Sequence, residues 1–101
     1  MKYKIVWSER AVDNLREIHK FISMDSSAQA DKVIDEILSC VEPLSDFPNM
    51  GVGVKEFPQY NFRELMKYSY RIIYQVSEKN VHIITVVHSR QNFKKVYKGN
   101  R

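Results

Sequence analysis

The hydrophobic period changes near residue 45, and this change constrains the fold more than any other feature of the chain. Upstream of it, apolar residues repeat at helical spacing: Ala30, Val33, Ile34, Ile37, Leu38, Val41 and Leu44. Such spacing places the seven side chains on one face of an amphipathic helix. Downstream, apolar and polar residues alternate, as they do in half-buried strands. The chain is therefore predicted to be a helical half followed by a sheet, which is the α+β class.

The helical half is expected to contain a short strand and two helices. Residues 2–7 alternate between polar and apolar types and predict the strand. Ser8 is a plausible N-cap for a first helix that should end near Met24. Ser26 fits the first position of a capping box for the second helix, and Pro43 marks its end. Two helices joined by so short a break should pack as an antiparallel hairpin.

The sheet half contains segments that alternate or are rich in β-branched residues. They are residues 54–57, 62–68, 70–77 and 81–88. The first is a weak strand that Pro58 stops, and the last is typical of a central strand with both faces covered. We therefore expect the helical hairpin to pack on one face of a three- to four-stranded, mainly antiparallel sheet. The other face is expected to be free to form a groove.

Length and composition limit the kinds of protein that this chain can be. With 101 residues there is room for a single domain, expected to span residues 1–101. Cys40 is the one cysteine, which excludes an intrachain disulfide and fits a reducing cytoplasm. The sequence shows no apolar run near the roughly 20 residues of a membrane span, no metal-ligand spacing and no glycine-rich phosphate loop. We expect a cytoplasmic protein with no membrane partner, no cofactor and no metal.

The two halves of the chain carry opposite charge. Residues 1–56 hold seven basic and ten acidic side chains, whereas residues 57–101 hold nine basic and two acidic ones. A basic half should attract a polyanion, which could be RNA, DNA or an acidic protein segment. For residues 94–101 the alternative is a solvated, lysine-rich C-terminal tail.

Arg71 and Arg63 differ from the other basic residues because they lie within apolar, strand-like sequence. A planar guanidinium of fixed charge at a semi-buried sheet face suits a phosphate, either in ground-state binding or in a transition state. The alternative is a structural arginine that pairs with Glu64 or with a helix carboxylate. The sequence leaves both interpretations open.

His88 ends the last predicted strand and precedes Arg90. Metal-free RNA cleavage needs a base for the 2′-hydroxyl, a cation for the charged phosphorus centre and an acid for the leaving oxygen. His88, then Arg71 or Arg90, and then Tyr97 could fill these roles. A strand-terminal histidine can equally serve in capping or packing. Whether Arg71 and His88 share a sheet face depends on the parity of the hairpin register, which the sequence leaves open.

Several segments resemble, in their order and spacing, the RelE/ParE superfamily of bacterial type II toxins. They are residues 6–11 (VWSERA), Leu44-x-x-Phe47-Pro48-x-x-Gly51, Arg63-Glu64-Leu65, residues 70–76 (YRIIYQV) and residues 83–90 (IITVVHSR). The resemblance covers nearly the whole chain. It implies a toxin that a co-expressed antitoxin holds inactive in a hetero-oligomer. An acidic or amphipathic antitoxin segment would suit the basic half of the chain.

The superfamily contains two activities of different class. ParE-like members bind DNA gyrase and stabilise its cleaved-DNA complex, and RelE-like members cleave mRNA in the ribosomal A site without a metal. The capped hairpin, the Phe-Pro-x-x-Gly turn and the His-x-Arg strand end favour the ParE-like branch. A third possibility is an inactive homologue kept for binding its antitoxin or regulating its own promoter.

The RelE-like alternative implies a set of catalytic residues. Arg71 matches the arginine of the shared strand motif, Arg90 approximates a later catalytic arginine, and Tyr97 lies near the position of a C-terminal tyrosine. His88 and Arg63 complete the candidate set for a nuclease. The paired lysines of the best-known RelE pattern are missing, since residues 60–63 read YNFR.

Overall fold

The computed structural model describes residues 2–97. Its elements, in chain order, are β1 (Lys4–Trp7), α1 (Glu9–Ser23), α2 (Ser27–Val41), a 3-10 turn (Glu42–Ser45), β2 (Val52–Gly53), a second 3-10 turn (Pro58–Tyr60), β3 (Arg63–Lys67), β4 (Tyr70–Ser77), β5 (Asn80–His88) and α3 (Phe93–Val96). The predictions that involve Lys98 and Arg101 lie outside the described residues.

Both helices of the hairpin begin at the predicted caps. The Ser8 hydroxyl accepts a hydrogen bond from the Ala11 amide at 3.0 Å, and the Ser26 hydroxyl accepts one from the Gln29 amide at 3.1 Å. The buried positions of α2 are Ala30, Val33, Ile37 and Val41. Leu38 was expected on this stripe but is 38% exposed, because it lies at the outer margin of the buried face.

The sheet has five strands in the order β1-β5-β4-β3-β2. Strand β1 pairs parallel to β5, and the other neighbouring strands are antiparallel. The predicted α+β class is confirmed, with a fifth strand because the N-terminal strand joins the same sheet. The hairpin covers one face and buries a core with the central strands: Ala11, Val33, Ile37, Val41, Leu44, Ile72, Tyr74, Val81, Ile83 and Val86. None of the helices within residues 2–97 has the length and apolar character needed to cross a bilayer.

The weak strand predicted at residues 54–57 is wrong. The strand is Val52–Gly53, and after it only the Val54 amide continues toward the next strand, donating to the Phe62 carbonyl at 3.0 Å. The chain then crosses the face of the sheet instead of continuing along its edge. It does so because Glu56 pairs with Arg71 on that face and Phe57 packs against the hydrophobic residues there.

The hairpin of β4 and β5 contains a bulge that changes its register. Near the turn, Val76 lies opposite Val81, but at the other end Arg71 lies opposite Val87. Ile84 is the extra residue, and one extra residue inverts the alternation of side chains on the strand. Because His88 pairs with Tyr70, it shares the helix-covered face with Tyr70, whereas Arg71 points to the opposite face.

The face opposite the hairpin is not an open groove, contrary to the expectation. The segment after β2 and the short α3 fold over it and form a second core: Val54, Phe62, Ile73, Val87, Phe93 and Tyr97. This cover is largely aromatic, and it is the environment in which Arg71 lies.

Candidate functional site

Arg71, the strongest candidate from the sequence, is held by two carboxylates of the same chain. Its Nη1 and Nη2 donate to the two Glu56 oxygens at 2.9 and 3.0 Å, and its Nε donates to Glu64 at 2.5 Å. The Arg71 side chain is only 12% exposed. The pairing with Glu64 that the sequence suggested is confirmed, and Glu56 completes the set.

The local backbone explains why these three residues meet. Glu64 on β3 lies opposite Ile73, two positions from Arg71 on β4, so both side chains point to the same face of the sheet. Glu56 arrives from the segment that crosses this face after β2. Arg71 therefore links a strand, its neighbour and the covering segment.

The charges of this cluster stabilise one another. The hydrogen bonds that Arg71 donates to Glu56, and then the one that it donates to Glu64, raise the pKa of the Arg71 guanidinium above its ordinary value, against the opposing effect of burial. The hydrogen bond from Arg71 lowers the pKa of Glu56, and the positive charge of Lys94 acts in the same direction. With two carboxylates around one guanidinium, the cluster carries a net charge of −1.

Aromatic rings, including that of Phe93 in α3, pack against the Arg71 cluster. Phe93, the first residue of α3, packs edge-on against Phe57 with ring centroids 5.1 Å apart. The Arg71 guanidinium carbon lies 5.5 Å from the centre of the Phe93 ring. The Arg10 guanidinium carbon lies 5.1 Å from the Tyr97 ring in the same way. Arg71 thus contacts α3 from the sheet, and Arg10 on α1 contacts Tyr97, the residue after α3, in both cases through a cation–π contact.

Tyr97 belongs to this aromatic core and not to a surface. It is 6% exposed, and its ring is within 6.4 Å, centroid to centroid, of Phe57, Tyr60, Phe62 and Phe93. Burial raises the pKa of the Tyr97 hydroxyl, with a smaller opposing effect from Arg10. A phenol in this position is a poor proton donor to a substrate in solvent.

His88 lies on the other side of the sheet. Its ring packs edge-on against Tyr70, with centroids 5.4 Å apart, and its Nδ1 accepts a hydrogen bond from the Arg90 amide at 3.1 Å. Arg90 itself is exposed in the turn that follows β5. The structure therefore separates His88 from Arg71 by the thickness of the sheet.

Arg63 stabilises the turn before β2. Its Nη1 donates to the Gly51 carbonyl at 2.7 Å and to the Asn49 carbonyl at 3.2 Å. The five candidates of the nuclease interpretation are consequently not brought together: Arg71 is ion-paired, Tyr97 is buried, His88 lies across the sheet, Arg63 binds a loop and Arg90 faces solvent.

Sequence reasoning missed the role of Tyr74. Its hydroxyl donates to the Pro48 carbonyl and accepts from the Gly51 amide, each at 2.8 Å. A Cβ on Gly51 would stand 2.7 Å from the Tyr74 hydroxyl and from the Glu64 carbonyl, so only glycine fits this approach. The tyrosine of the Tyr-Arg-x-x-Tyr strand thus anchors the Phe-Pro-x-x-Gly turn. This contact brings the two motifs together in the fold.

No metal centre is indicated in the part of the chain that the structure covers. Among residues 2–97, no group of three or more His, Cys, Asp or Glu side chains is placed to hold a metal ion.

Comparison with known proteins gives one family match and several structural neighbours. The family model described as "ParE toxin of type II toxin-antitoxin system, parDE" matches residues 5–93. A curated relative, "Putative toxin Y4kP" of Sinorhizobium fredii, is 32% identical over 95 residues, covering 92% of this chain and 95% of the relative.

The solved structures agree on the fold. The chromosomal ParDE system of P. aeruginosa matches with a TM-score of 0.69 at 20% identity, over 86% of this chain and 96% of that one. The RelBE2 toxin–antitoxin complex of Mycobacterium tuberculosis matches with a TM-score of 0.64 at 16% identity, over 87% of this chain and 99% of that one. At these identities the likeness concerns the fold alone.

Proposed function

Because the chain belongs to the family of ParE toxins of type II toxin–antitoxin systems, we propose that it arrests growth by binding DNA gyrase, and not by cutting RNA. The observation that carries this proposal is that the Arg71 guanidinium is already paired with two carboxylates of the same chain. The residue that a nuclease would use to hold phosphate is bound to Glu56 and Glu64.

The electrostatics of the Arg71 cluster argue against a phosphate ligand. The cluster has a net charge of −1, and a phosphate about 5 Å from a carboxylate is repelled by about 3 kcal/mol at an effective dielectric constant of 20. To reach the guanidinium, a phosphate would also have to displace the two-point contact of Glu56. The arrangement suits a structural ion pair and opposes an anion site.

The positions of the other nuclease candidates support the same conclusion. General acid–base catalysis needs its groups within hydrogen-bond reach of one substrate. His88 and Arg71 lie on opposite faces of the sheet, and Tyr97 is in the aromatic core. A chain without an assembled set of reactive groups is better suited to act by binding, which is how ParE-like members act on gyrase.

We also propose a cognate antitoxin as partner, with an acidic or amphipathic segment that binds the toxin in a hetero-oligomer. Two structural neighbours are a ParDE system of P. aeruginosa and the RelBE2 toxin–antitoxin complex of Mycobacterium tuberculosis. The basic C-terminal half of this chain supplies the charge that such a segment would meet.

The test is a gyrase assay with the purified protein. Supercoiling of relaxed plasmid should be inhibited, and double-strand breaks should be trapped when the reaction is stopped with detergent and protease. A parallel reaction with translating ribosomes should leave the mRNA uncut. Normal supercoiling together with A-site mRNA cuts would overturn the proposal in favour of the RelE-like alternative, and growth unaffected by induced expression would indicate an inactive homologue.

A further inference from the structure

A cavity of about 350 Å³ opens at the end of the sheet where β3 begins. Its lining residues are Asn49, Gly53, Asn61, Phe62, Arg63 and Val76, and we call it the Arg63 cavity. Side chains alternate between the two faces along a strand. Since Glu64 points to the face that holds Arg71, Arg63 points to the opposite face. The Arg63 cavity is therefore separate from the Arg71 cluster, and its volume is within the range of small-molecule sites.

The half-buried Arg63 guanidinium is held in place by one of its nitrogens and keeps two others without a protein partner. Nη1 makes both contacts, donating to the Gly51 carbonyl at 2.7 Å and to the Asn49 carbonyl at 3.2 Å. Within residues 2–97, Nε and Nη2 have no protein acceptor, and no carboxylate pairs with Arg63. Because no side-chain nitrogen in that range is both buried and unpaired, these two donors are accessible.

The two accessible donors of Arg63 have the geometry of an oxyanion site. Nε and Nη2 lie along one edge of the planar guanidinium, and such an edge donates in parallel to two oxygens of one carboxylate or phosphate group. The contacts of Nη1 with the turn fix the direction of this edge. Arg63 is thus oriented before a ligand arrives, which reduces the entropy that binding costs.

The charge around Arg63 favours a small anion. Among the residues of 2–97 that line the cavity, Arg63 is the one that carries a charge, and Asn49 and Asn61 add neutral amide groups that can donate. Arg71 is the opposite case, because two carboxylates already surround its guanidinium. A nucleic acid would be held by several cations along its backbone, whereas this cavity offers a single cation in a confined space.

Gly53 leaves space in front of the Arg63 guanidinium. It lies directly opposite Arg63 in the pairing of β2 with β3, so a side chain at this position would point to the same face. A Cβ on Gly53 would meet no atom within 4 Å, and its backbone is not in the left-handed region that favours glycine. Neither packing nor backbone conformation requires glycine here. A glycine within a strand often marks a place where a ligand approaches closely.

We propose that the Arg63 cavity binds a small anion through a carboxylate or phosphate group. Nε and Nη2 of Arg63 would each donate to one oxygen of this group, with the amides of Asn49 and Asn61 around it. The space in front of Gly53 would hold the remainder of the ligand. This inference goes beyond the proposed function, because it does not depend on which target or partner the protein binds.

The test is a titration of the purified full-length protein, with the backbone amide signal of Asn61 in two-dimensional NMR as the reporter. Succinate carries carboxylates and AMP carries a phosphate, so the two probes separate the two sources of the anionic group. Adenosine is the counterpart of AMP without phosphate, and sodium chloride at equal ionic strength measures non-specific screening.

Two variants change the site and two serve as matched controls. Arg63→Lys keeps the positive charge but removes the two-donor edge, and Gly53→Leu places a side chain in the cavity. The controls are Arg16→Lys, at an exposed arginine elsewhere, and Val52→Leu, at the exposed neighbour of Gly53 that points to the other face of the sheet. Circular dichroism and thermal melting establish that each variant is folded.

At millimolar concentrations, succinate, AMP or both should shift the Asn61 signal along a saturating curve. The two site variants should each weaken this binding by about fivefold or more, and the controls should stay within about twofold of the unchanged protein. Saturation with succinate alone would identify a carboxylate as the group recognised, and saturation with AMP alone would identify a phosphate. Either result supports the proposal.

Shifts no larger than those caused by sodium chloride or adenosine would overturn the proposal. Site variants that bind the probes as tightly as the controls do would overturn it as well. If Arg63→Lys proves unfolded, Gly53→Leu decides the question, because it leaves the contacts between Arg63 and the turn in place.

Discussion

Arg71 and Glu56 form a two-point ion pair, with Nη1 and Nη2 donating to the two carboxylate oxygens at 2.9 and 3.0 Å. This contact fastens the segment that follows β2 onto the sheet and places Phe57 in the aromatic core. The arginine of the shared strand motif thus has a structural role in this chain. Its guanidinium holds this segment against the sheet.

Removal of Arg71 alone should destabilise the protein. Arg71→Ala leaves Glu56 and Glu64 facing each other at partly buried positions without their counterion, and we expect a loss of about 2–4 kcal/mol in the free energy of unfolding. Urea denaturation measures this loss. Arg16→Ala is the matched control, because the Arg16–Asp13 pair is exposed, and its loss should stay below about 0.5 kcal/mol. Equal losses in the two variants would contradict the structural role of Arg71.

Because of the same ion pair, the free energy of unfolding should decrease at acidic pH. The folded-state pKa of Glu56 is lowered, chiefly by its hydrogen bond with Arg71, so the charged carboxylate stabilises the folded state above its unfolded pKa. This stability should be lost as the pH falls below about 4.5, the ordinary pKa of a glutamate, and through the lower folded-state pKa of Glu56. In Glu56→Gln the decline over that range should be shallower. Urea titrations at a series of pH values check this, and parallel profiles for the two proteins would contradict it.

The hydroxyl of Tyr74 should stabilise the turn before β2. Tyr74→Phe leaves the Gly51 amide and the Pro48 carbonyl without their hydrogen-bond partner. We expect the free energy of unfolding to fall by about 1–3 kcal/mol. Tyr68→Phe is the control for an exposed hydroxyl: the ring is 51% exposed and its hydroxyl donates to Glu36 in solvent, so the free energy of unfolding should change by less than about 0.5 kcal/mol. Thermal or urea unfolding compares the two. A Tyr74→Phe protein as stable as the control would show that the turn does not depend on this contact.

The Tyr97 hydroxyl should not be required for growth arrest. Tyr97→Phe keeps the ring and its contacts with Phe57 and Phe93, so induced expression should inhibit growth as strongly as the unchanged chain does. Phe93→Ala provides the contrast, because it removes a fully buried ring and should cost about 3–5 kcal/mol of stability. Loss of toxicity in folded Tyr97→Phe would support a catalytic phenol and the nuclease alternative.

Local chemistry explains which parts of the fold could be predicted. The caps at Ser8 and Ser26 depend on an amide three residues away, so the sequence alone predicts both helix starts. The pairing register of β4 with β5, and hence the face on which each side chain lies, could not be predicted in this way. The strands leave the turn in one register, and the bulge at Ile84 shifts the pairing by one residue. The position of such a bulge depends on how both faces of the sheet pack, which the local sequence does not show.

The candidate site was likewise predicted only in part. Glu64 was one of two kinds of partner considered for a structural Arg71, the other being a helix carboxylate, and the structure shows the contact with Glu64. Glu56 was missed, since it lies 15 residues from Arg71 in a segment that was predicted to be a strand and instead crosses the sheet face. The face opposite the hairpin was expected to form a free groove, and neither the aromatic cover nor the Glu56 carboxylate on it was predicted. Long-range partners of this kind leave no periodic signal in the sequence.

The most direct test of the account removes the Arg71 cluster without leaving an unpaired charge. The triple variant Arg71→Met, Glu56→Gln, Glu64→Gln takes away all three charges, and replacing a buried ion pair as a whole is often close to neutral for stability. Its inhibition of gyrase supercoiling is the measurement. We expect the folded triple variant to inhibit gyrase within about threefold of the unchanged protein, because the cluster is structural. A folded variant that no longer inhibits gyrase would contradict the account.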